Sequence, residues 1–280
     1  MIPAEFDYVV AGSVDEAIAL LNEGGADAKL LAGGHSLLPL MKLRFAAPSL
    51  LVDIGRISEL RGVQTGGDSF RIGALTRHAD LQERDDMGLI AAAAGQIGDQ
   101  QVRNRGTIGG SLANGDAAAD LPAVLLAMEG TCVVRGAGGD REIPAADMFQ
   151  GYLSTAVAPG EVLTEVRVPA LTGYGFGYEK FNRRSEDWAM VGVAALVKSD
   201  GGVCEDVRIG LTHMASTPLR ATAAEDALRG QPLDAEHIAA AAQLADEGTS
   251  PLGDLNATPD YKRHLARVLT RRALATASAA

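Results

Sequence analysis

Cysteine is scarce in this chain. Cys132 and Cys204 are the only two, and they are far apart, without the CxxC spacing of metal-binding or redox motifs. This number of thiols excludes an iron–sulfur cluster or a cysteine-rich zinc site held by this chain alone. The same scarcity is typical of a protein from a reducing cytosol. We therefore interpret both cysteines as small buried hydrophobic residues.

Histidine is also sparse, and its distribution predicts no metal site. His78, His213, His237 and His264 have no ligand spacing with one another or with acidic residues. His35 lies in a glycine-rich stretch, where a role in positioning the backbone is favoured over proton chemistry. The sequence therefore predicts neither a bound metal nor a catalytic residue in this chain.

The chain also lacks an excess of positive charge and long apolar runs. Its net charge of −11 argues against nucleic acid or an anionic membrane surface as a partner, because both bind basic faces. No apolar run reaches the about 18 residues of a transmembrane helix, and residues 1–5 have no signal-peptide character. A hydrophobic content of 47% is ordinary for a globular protein, and 280 residues favour two domains over one.

The first 55 residues alternate between helix and strand signals. Ser13 and Glu16 have the spacing of an N-terminal helix cap, and apolar residues then recur at helical intervals. Residues 29–32 and 50–54 are short apolar runs typical of buried strands. This order predicts a small α/β subdomain over residues 1–55 that contains a pair of parallel strands.

Hairpin signals dominate the middle of the chain. Turn sequences at residues 65–68 and 136–140 separate runs that have strand character. They predict a mixed, largely antiparallel subdomain over residues 56–175, which completes a first domain of residues 1–175. A glycine-rich joint at residues 172–177 suggests the domain boundary.

The last part, residues 176–280, is predicted to form a C-terminal domain with a three-stranded antiparallel sheet and helices on one face. Thr258 followed by Pro259 has the pattern of a helix start. The predicted fold class for the whole chain is α+β.

Two glycine-rich stretches are the strongest candidates for a binding site. The first loop is residues 32–36 (AGGHS), directly after a predicted strand, and the second loop is residues 107–111 (TIGGS), before a predicted helix. Glycine lacks a Cβ, so the backbone there can approach a ligand closely and direct N–H groups at it. A helix N-terminus behind such a loop favours phosphate. Ordinary turns are the alternative for each loop taken alone.

Both loops resemble those of a known family. Residues 32–39 and residues 107–111, with Asp116 and Asp120, resemble the two FAD loops of the medium, flavoprotein subunit of molybdenum hydroxylases. Residues 179–189, which include Glu-Lys-Phe and Asp-Trp-Ala, resemble the start of that subunit's C-terminal domain. Within the family, residues 111–116 are most similar to aerobic carbon monoxide dehydrogenase. Two departures are Ala117, where proline is usual, and Trp188, where tyrosine is expected.

The resemblance implies non-covalent FAD and a set of residues that bind it. The two loops would enclose the pyrophosphate, with the Ser36 and Ser111 hydroxyls as further donors. Asp120 would accept a ribose or ribityl hydroxyl, Lys180 would lie near the flavin pyrimidine edge, and Trp188 would stack on the isoalloxazine. The predicted set is Lys29, Leu30, Leu31, Ala32, Gly33, Gly34, His35, Ser36, Ile97, Thr107, Ile108, Gly109, Gly110, Ser111, Asn114, Asp116, Asp120, Leu163, Lys180 and Trp188.

Several of these residues have structural alternatives. Asp120 could be an acid favoured by a helix N-terminus, Lys180 a surface lysine and Trp188 a core anchor. Asn114 and Asp116 could cap turns. The two apolar members of the set could serve in core packing instead.

The function implied by the resemblance is electron transfer. FAD on this chain would receive electrons from 2Fe-2S clusters on a small subunit, fed by a molybdenum cofactor on a large subunit. A heterohexamer of two three-subunit units in the cytoplasm is implied. Electrons would go to an external acceptor (quinone, NAD or other), which could associate the enzyme with the inner face of the membrane. The alternatives are a molybdenum hydroxylase acting on an aldehyde or N-heterocycle, a self-sufficient FAD oxidoreductase, and a nucleotide-binding scaffold without redox function.

Overall fold

The N-terminal part of the chain is a parallel sheet with helices. The structure is a computed structural model that describes residues 2–279. The first elements are β1 (Asp7–Val10), α1 (Val14–Gly24), β2 (Ala28–Leu31), α2 (Leu37–Lys42) and β3 (Leu50–Asp53). The strand order is β1-β3-β2, and all three strands are parallel. The sheet therefore has one strand more than the predicted pair.

The cap predicted for the first helix is present. The Ser13 hydroxyl accepts the Glu16 N–H at 3.1 Å, and the Glu16 carboxylate accepts the Gly12 N–H at 2.7 Å. These bonds satisfy backbone donors at the start of α1. Val14 and Leu21 are among the residues on the buried face of this helix, which packs against the parallel sheet.

The middle of the chain forms an antiparallel sheet with short helices. The elements are β4 (Val63–Gly66), β5 (Ser69–Gly73), α3 (His78–Gln82), α4 (Leu89–Gly95), α5 (Gln100–Arg103), α6 (Ile108–Asn114), α7 (Asp120–Ala127), β6 (Thr131–Gly136), β7 (Gly139–Pro144), α8 (Ala145–Met148), β8 (Phe149–Gly151), β9 (Ser154–Thr155) and β10 (Val162–Pro169). The five main strands have the order β4-β5-β10-β6-β7, and β8 pairs with β9 alone. Both predicted hairpins, β4 with β5 and β6 with β7, are observed.

The C-terminal part is an antiparallel sheet of four strands. Its elements are β11 (Tyr174–Phe181), β12 (Val191–Asp200), β13 (Val203–Thr212), β14 (Leu219–Arg220), α9 (Thr222–Leu228), α10 (Ala235–Ala242) and α11 (Pro259–Ser278). The α+β class is confirmed. The fourth strand has only two residues, too few to carry an alternating pattern.

Helices cover both faces of this C-terminal sheet, whereas one face was predicted. Alternate residues of β12 belong to different cores: Val193 packs with α11, and Ala194 packs with the core of the middle sheet. A Cβ on Gly177 would lie 2.2 Å from Ala273 O of α11, and one on Gly210 would lie 2.2 Å from Ala123 O of α7. Burial on both faces explains why β12 is a continuous apolar run. The proposed boundary at residues 175/176 lies inside β11 and remains a proposal.

Candidate functional site

The first loop is positioned by the parallel sheet. It follows β2 directly and leads into α2, so it lies at the carboxyl end of the strands. Open sheets of this kind bind ligands at that edge. Gly34 has φ of +80°, a left-handed conformation that favours glycine. The loop is at least partly exposed throughout, so a ligand has access to it.

The second loop begins α6 and is adjacent to the first loop. A Cβ on Gly33 would lie 2.2 Å from Arg105 O, so the first loop presses against the segment that precedes Thr107. A Cβ on Gly110 would lie 3.9 Å from the Cβ of Ala32. The structure thus brings together the two loops that the sequence places about seventy positions apart.

The first loop carries free hydrogen-bond donors. Within the described residues, no protein group accepts the backbone N–H of Gly33, Gly34, His35 or Ser36. The Ser36 side chain makes no capping bond to α2. Four successive N–H groups and a hydroxyl are therefore available as donors, and successive backbone N–H groups are the kind of donor that binds phosphate oxygens.

The N–H groups of residues 108–111 in the second loop are already engaged, which contradicts their predicted direction toward the ligand. Gly109 N–H donates to Ala74 O at 2.9 Å, and Gly110 N–H donates to the Thr107 hydroxyl at 3.2 Å. Ile108 and Ser111 donate to backbone carbonyls as well. Thr107 is an N-cap, and its bonds fix the start of α6. The second loop is therefore a rigid segment that borders the first loop.

Asp120 and Lys180 form a buried ion pair. The Lys180 ammonium donates to the Asp120 carboxylate and to Gln96 O, each at 3.0 Å, and both charged side chains are 2% exposed. The Tyr178 hydroxyl donates to the second Asp120 oxygen at 2.5 Å. Burial raises the pKa of the Asp120 carboxyl, although Lys180 and Tyr178 oppose that change. Lys180 is therefore no surface lysine, and Asp120 is both the first residue of α7 and an ionic partner.

Other predicted residues occupy supporting positions. Ile97 and Leu163 are 8% and 5% exposed and belong to the core of the middle sheet. The Asp116 carboxylate accepts the Ala118 N–H at 2.9 Å, which closes a local turn. Asn114 is the last residue of α6, and Lys29 is an exposed residue of β2. Their roles in FAD binding remain proposals.

Trp188 is 54% exposed, which excludes its role as a core anchor. The next residue, Ala189, is held by a buried chain of polar groups. The His213 Nδ1 lies 2.8 Å from Ala189 O, and its Nε2 lies 3.3 Å from the Lys262 ammonium. Because a carbonyl only accepts and an ammonium only donates, Nδ1 carries the proton and Nε2 accepts. The chain thus fixes the backbone beside Trp188.

Lys262 at the other end of this chain is fully buried and pairs with Asp254 at 2.7 Å. Burial of Asp254 opposes its ionisation, but hydrogen bonds from Lys262 and two backbone N–H groups lower the pKa of Asp254 to about 2. His213 also donates its backbone N–H to Ala117 O at 2.8 Å. One histidine therefore links α11, the Trp188 segment and the turn that follows α6.

The cysteines and histidines show no sign of metal or thiol chemistry. Burial raises the pKa of Cys132 to about 12 and that of Cys204 to about 11, so both are inert buried thiols, as predicted. Burial lowers the pKa of His78 to about 4. Partial burial and the charge of Arg105 lower the pKa of His35. Among residues 2–279, no group of three or more histidine, cysteine or acidic side chains could hold a metal ion.

Sequence reasoning missed a cleft beside the two loops, which we call the arginine cleft. It has a volume of ≈ 170 Å³ and is bordered by Ala32 and Thr107. Its positive lining residues are Arg56, Arg61, Arg77 and Arg105. Arg56 and Arg61 share the connection between β3 and β4, whereas Arg77 precedes α3 and Arg105 precedes α6. The linear sequence therefore does not group all four.

The donors present fit FAD. The free N–H groups of the first loop lie where its diphosphate is predicted to bind, and positive charge is concentrated next to them. A diphosphate needs hydrogen-bond donors and positive potential, and this part of the molecule supplies both.

Comparison with known proteins gives the family. Residues 4–171 match the family described as FAD binding domain in molybdopterin dehydrogenase, and residues 176–277 match the CO dehydrogenase flavoprotein C-terminal domain. The chain therefore belongs to the FAD-binding family of molybdopterin dehydrogenases. It is an FAD-dependent oxidoreductase subunit.

Individual relatives are similar over their full lengths. The chain is 45% identical to the carbon monoxide dehydrogenase medium chain of Hydrogenophaga pseudoflava, covering 98% of this chain and 97% of that one. It is 41% identical to 6-hydroxypseudooxynicotine dehydrogenase complex subunit alpha of Paenarthrobacter nicotinovorans, covering 99% and 96%. The solved carbon monoxide dehydrogenase of Hydrogenophaga pseudoflava superposes with a TM-score of 0.96 at 47% identity, covering 100% and 99%. Several relatives are thus medium chains of enzymes made of more than one chain.

Proposed function

We propose that this chain is the FAD-carrying electron-transfer subunit of an aerobic carbon monoxide dehydrogenase. In this proposal a small partner subunit carries 2Fe-2S clusters, a large partner subunit carries the molybdenum cofactor, and the chain transfers electrons to an external acceptor such as a quinone. The observation that carries it is the match along the whole chain to carbon monoxide dehydrogenase medium chains. Within residues 2–279, no group of three or more histidine, cysteine or acidic side chains could hold a metal ion, which fits clusters on another chain.

The chain's own residues bind and orient the cofactor. Gly33, Gly34, His35 and Ser36 would donate backbone N–H groups to the diphosphate, and the second loop would form the opposite wall. Trp188 is exposed on a segment held by His213 and is free to contact the isoalloxazine. Bound FAD would supply the redox chemistry.

A second candidate is the FAD subunit of a molybdenum hydroxylase with an organic substrate. Identity of 41% to a subunit of 6-hydroxypseudooxynicotine dehydrogenase favours it, since that value is close to the 45% for carbon monoxide dehydrogenase. Both candidates place the substrate on another subunit. The residues of this chain therefore serve either one equally well.

We further propose a heterohexamer of two three-subunit units in the cytoplasm, which meets its acceptor at the inner face of the membrane. Among the residues that the structure describes, no helix is long and apolar enough to cross a bilayer. Association with the membrane would in this case depend on the acceptor.

The substrate is tested on the native complex. Purification with metal analysis should find molybdenum and iron together with the flavin. An acceptor-linked assay should then show oxidation of CO and little oxidation of aldehydes or N-heterocycles. Turnover of an organic substrate without turnover of CO would favour the second candidate. A complex without molybdenum would contradict both.

The FAD site is tested with a matched pair of variants of the full chain. Ser36→Asp places a carboxylate beside the predicted diphosphate, whereas Ser36→Asn keeps a neutral polar group. Two unit charges 4 Å apart repel by about 1 kcal/mol in water and about 4 kcal/mol near a protein surface. We expect FAD affinity, measured by quenching of Trp188 fluorescence, to fall at least about tenfold in Ser36→Asp. Equal FAD affinities of the two variants would contradict binding of the diphosphate at the first loop.

A further inference from the structure

Trp188 lies in a connection whose own hydrogen bonds are local. This connection, residues 182–190, joins β11 to β12. Four side-chain hydrogen bonds within it join its residues only to one another. Among the residues that the structure describes, neither the backbone N–H nor the carbonyl of Trp188 has a hydrogen-bond partner. The orientation of the exposed indole therefore depends on how the neighbouring residue, Ala189, is held.

His213, directly after β13, holds this connection from outside it. Its Nδ1–H donates to Ala189 O at 2.8 Å, and its backbone N–H donates to Ala117 O, also at 2.8 Å. Each of these carbonyls follows a residue that is predicted to bind FAD, because Trp188 precedes Ala189 and Asp116 precedes Ala117. One residue therefore sets the separation between two segments that carry predicted cofactor residues.

The imidazole of His213 is itself held by a buried charge. The Lys262 ammonium lies 3.3 Å from Nε2 and pairs with Asp254 at 2.7 Å, and the Lys262 side chain is fully buried. Burying a lysine costs free energy even when it is paired, and an apolar residue would pack in α11 without that cost. Because an ammonium only donates, it keeps the imidazole proton on Nδ1, where this proton faces Ala189 O.

We propose that His213 is a positioning residue for the flavin. It holds the Trp188 segment so that the indole contacts the isoalloxazine, and Lys262 keeps the imidazole in the tautomer that this contact requires. Both residues act through the backbone of Ala189, whereas Trp188 makes the contact. The inference rests on the proposed function, since it requires FAD on this chain, and it adds which residues control the aromatic contact.

The test measures fluorescence of the full chain saturated with FAD, with saturation determined from flavin absorbance. Trp188 is the only tryptophan, so its emission reports on this segment alone. An indole in contact with the isoalloxazine quenches the emission of both rings. His213→Gly removes the imidazole, and glycine accepts the φ of +64° at this position without strain. His213→Asn restores a side-chain N–H donor close to the position of Nδ1.

We expect mutual quenching in wild type and weaker quenching in His213→Gly. The net contribution of one hydrogen bond corresponds to about a two- to tenfold change in an equilibrium. The ratio of stacked to unstacked indole should therefore fall by a factor of this size and recover in His213→Asn. Lys262→Met should cause a smaller loss, because the imidazole proton is then free to move to Nε2. Asp254 is 33% exposed, so water can solvate it in that variant.

Leu269→Ala is the matched control for a loss of stability. Leu269 lies in α11, as Lys262 does, and is 1% exposed in the core of the C-terminal sheet. Its truncation opens a cavity and destabilises this part of the molecule without removing a bond of His213. The control should show the same quenching at saturating FAD as wild type. Urea unfolding confirms that each variant is folded and measures its stability.

The possible results distinguish this inference from the proposed function. Weaker quenching in His213→Gly, with recovery in His213→Asn and no change in Leu269→Ala, would support it. Equal quenching in wild type and His213→Gly, or an equal loss in the Leu269→Ala control, would overturn it. Wild type that binds FAD without mutual quenching would also overturn it but leave the proposed function intact. Wild type that binds no FAD would contradict both.

Discussion

Replacing Lys180 by methionine tests the buried ion pair most directly. The two charged side chains are 2% exposed, and the pair joins α7 to β11, with a third bond to the end of α4. Lys180→Met leaves the Asp120 carboxyl buried with only Tyr178 as a partner. Removing one member of a buried pair costs about 3–5 kcal/mol. That is a large fraction of the roughly 5–15 kcal/mol by which domains are stable.

The matched variants are Asp120→Leu and the double variant. Because two apolar residues leave no uncompensated charge, the double variant should be less destabilised than either single one. The coupling energy of the cycle should be about 3 kcal/mol. Urea unfolding followed by Trp188 fluorescence and by circular dichroism gives the free energies of unfolding of the wild type and the three variants.

The pH dependence of Lys180→Met has a definite sign. Without the lysine, only the Tyr178 and backbone hydrogen bonds oppose the effect of burial on Asp120, so its pKa rises further above the ordinary value. The folded protein then binds a proton that the unfolded chain releases above pH of about 4. The loss of stability should therefore be large at pH 8 and smaller at pH 5. Two results would refute this account: a loss of stability under about 1 kcal/mol in Lys180→Met at pH 8, or a double variant whose loss of stability equals the sum of the two single losses.

Two further predictions concern packing and a second ion pair. Gly109→Ala should destabilise the protein by about 1–3 kcal/mol, because the new Cβ would lie 2.5 Å from the Cβ of Ala74. Gly110→Ala should be less destabilising, because its Cβ would meet chiefly the Thr107 hydroxyl at 2.8 Å. Thermal unfolding compares the two variants, and equal losses of stability would contradict this prediction. Asp254→Asn should be less stable than wild type above pH of about 4, and this difference should vanish as pH falls toward the Asp254 pKa of about 2. Urea unfolding midpoints of both proteins, measured across this pH range, give the difference in stability. A difference that does not change with pH would argue against ionisation of Asp254 as its cause.

Local signals in the sequence were sufficient to predict these secondary-structure elements and the location of the two loops. The cap at Ser13, the two hairpins and the start of α11 at Pro259 each depend on residues close in sequence. The glycine pairs also indicated where the chain approaches something closely. For Gly33 and Gly109, the close neighbour is the protein's own backbone as well as any ligand.

Features that depend on residues distant in the sequence could not be predicted from the sequence. Lys180 and Asp120 are sixty positions apart, so neither reveals its partner. The uniformly apolar β12 predicts burial but does not say that α7 and α11 cover opposite faces. The arginines of the cleft come from three different connections of the chain, and only the folded chain brings them together.

The backbone contact between Gly33 and Arg105 has a consequence for cofactor exchange. With no space for even a methyl group at that contact, the two loops are held in register by the polypeptide itself. The pocket for the diphosphate is thus preorganised, and little conformational entropy is lost when the cofactor enters. Apoprotein and holoprotein should therefore share one backbone, which makes release and reloading of the flavin a reversible event instead of a folding step.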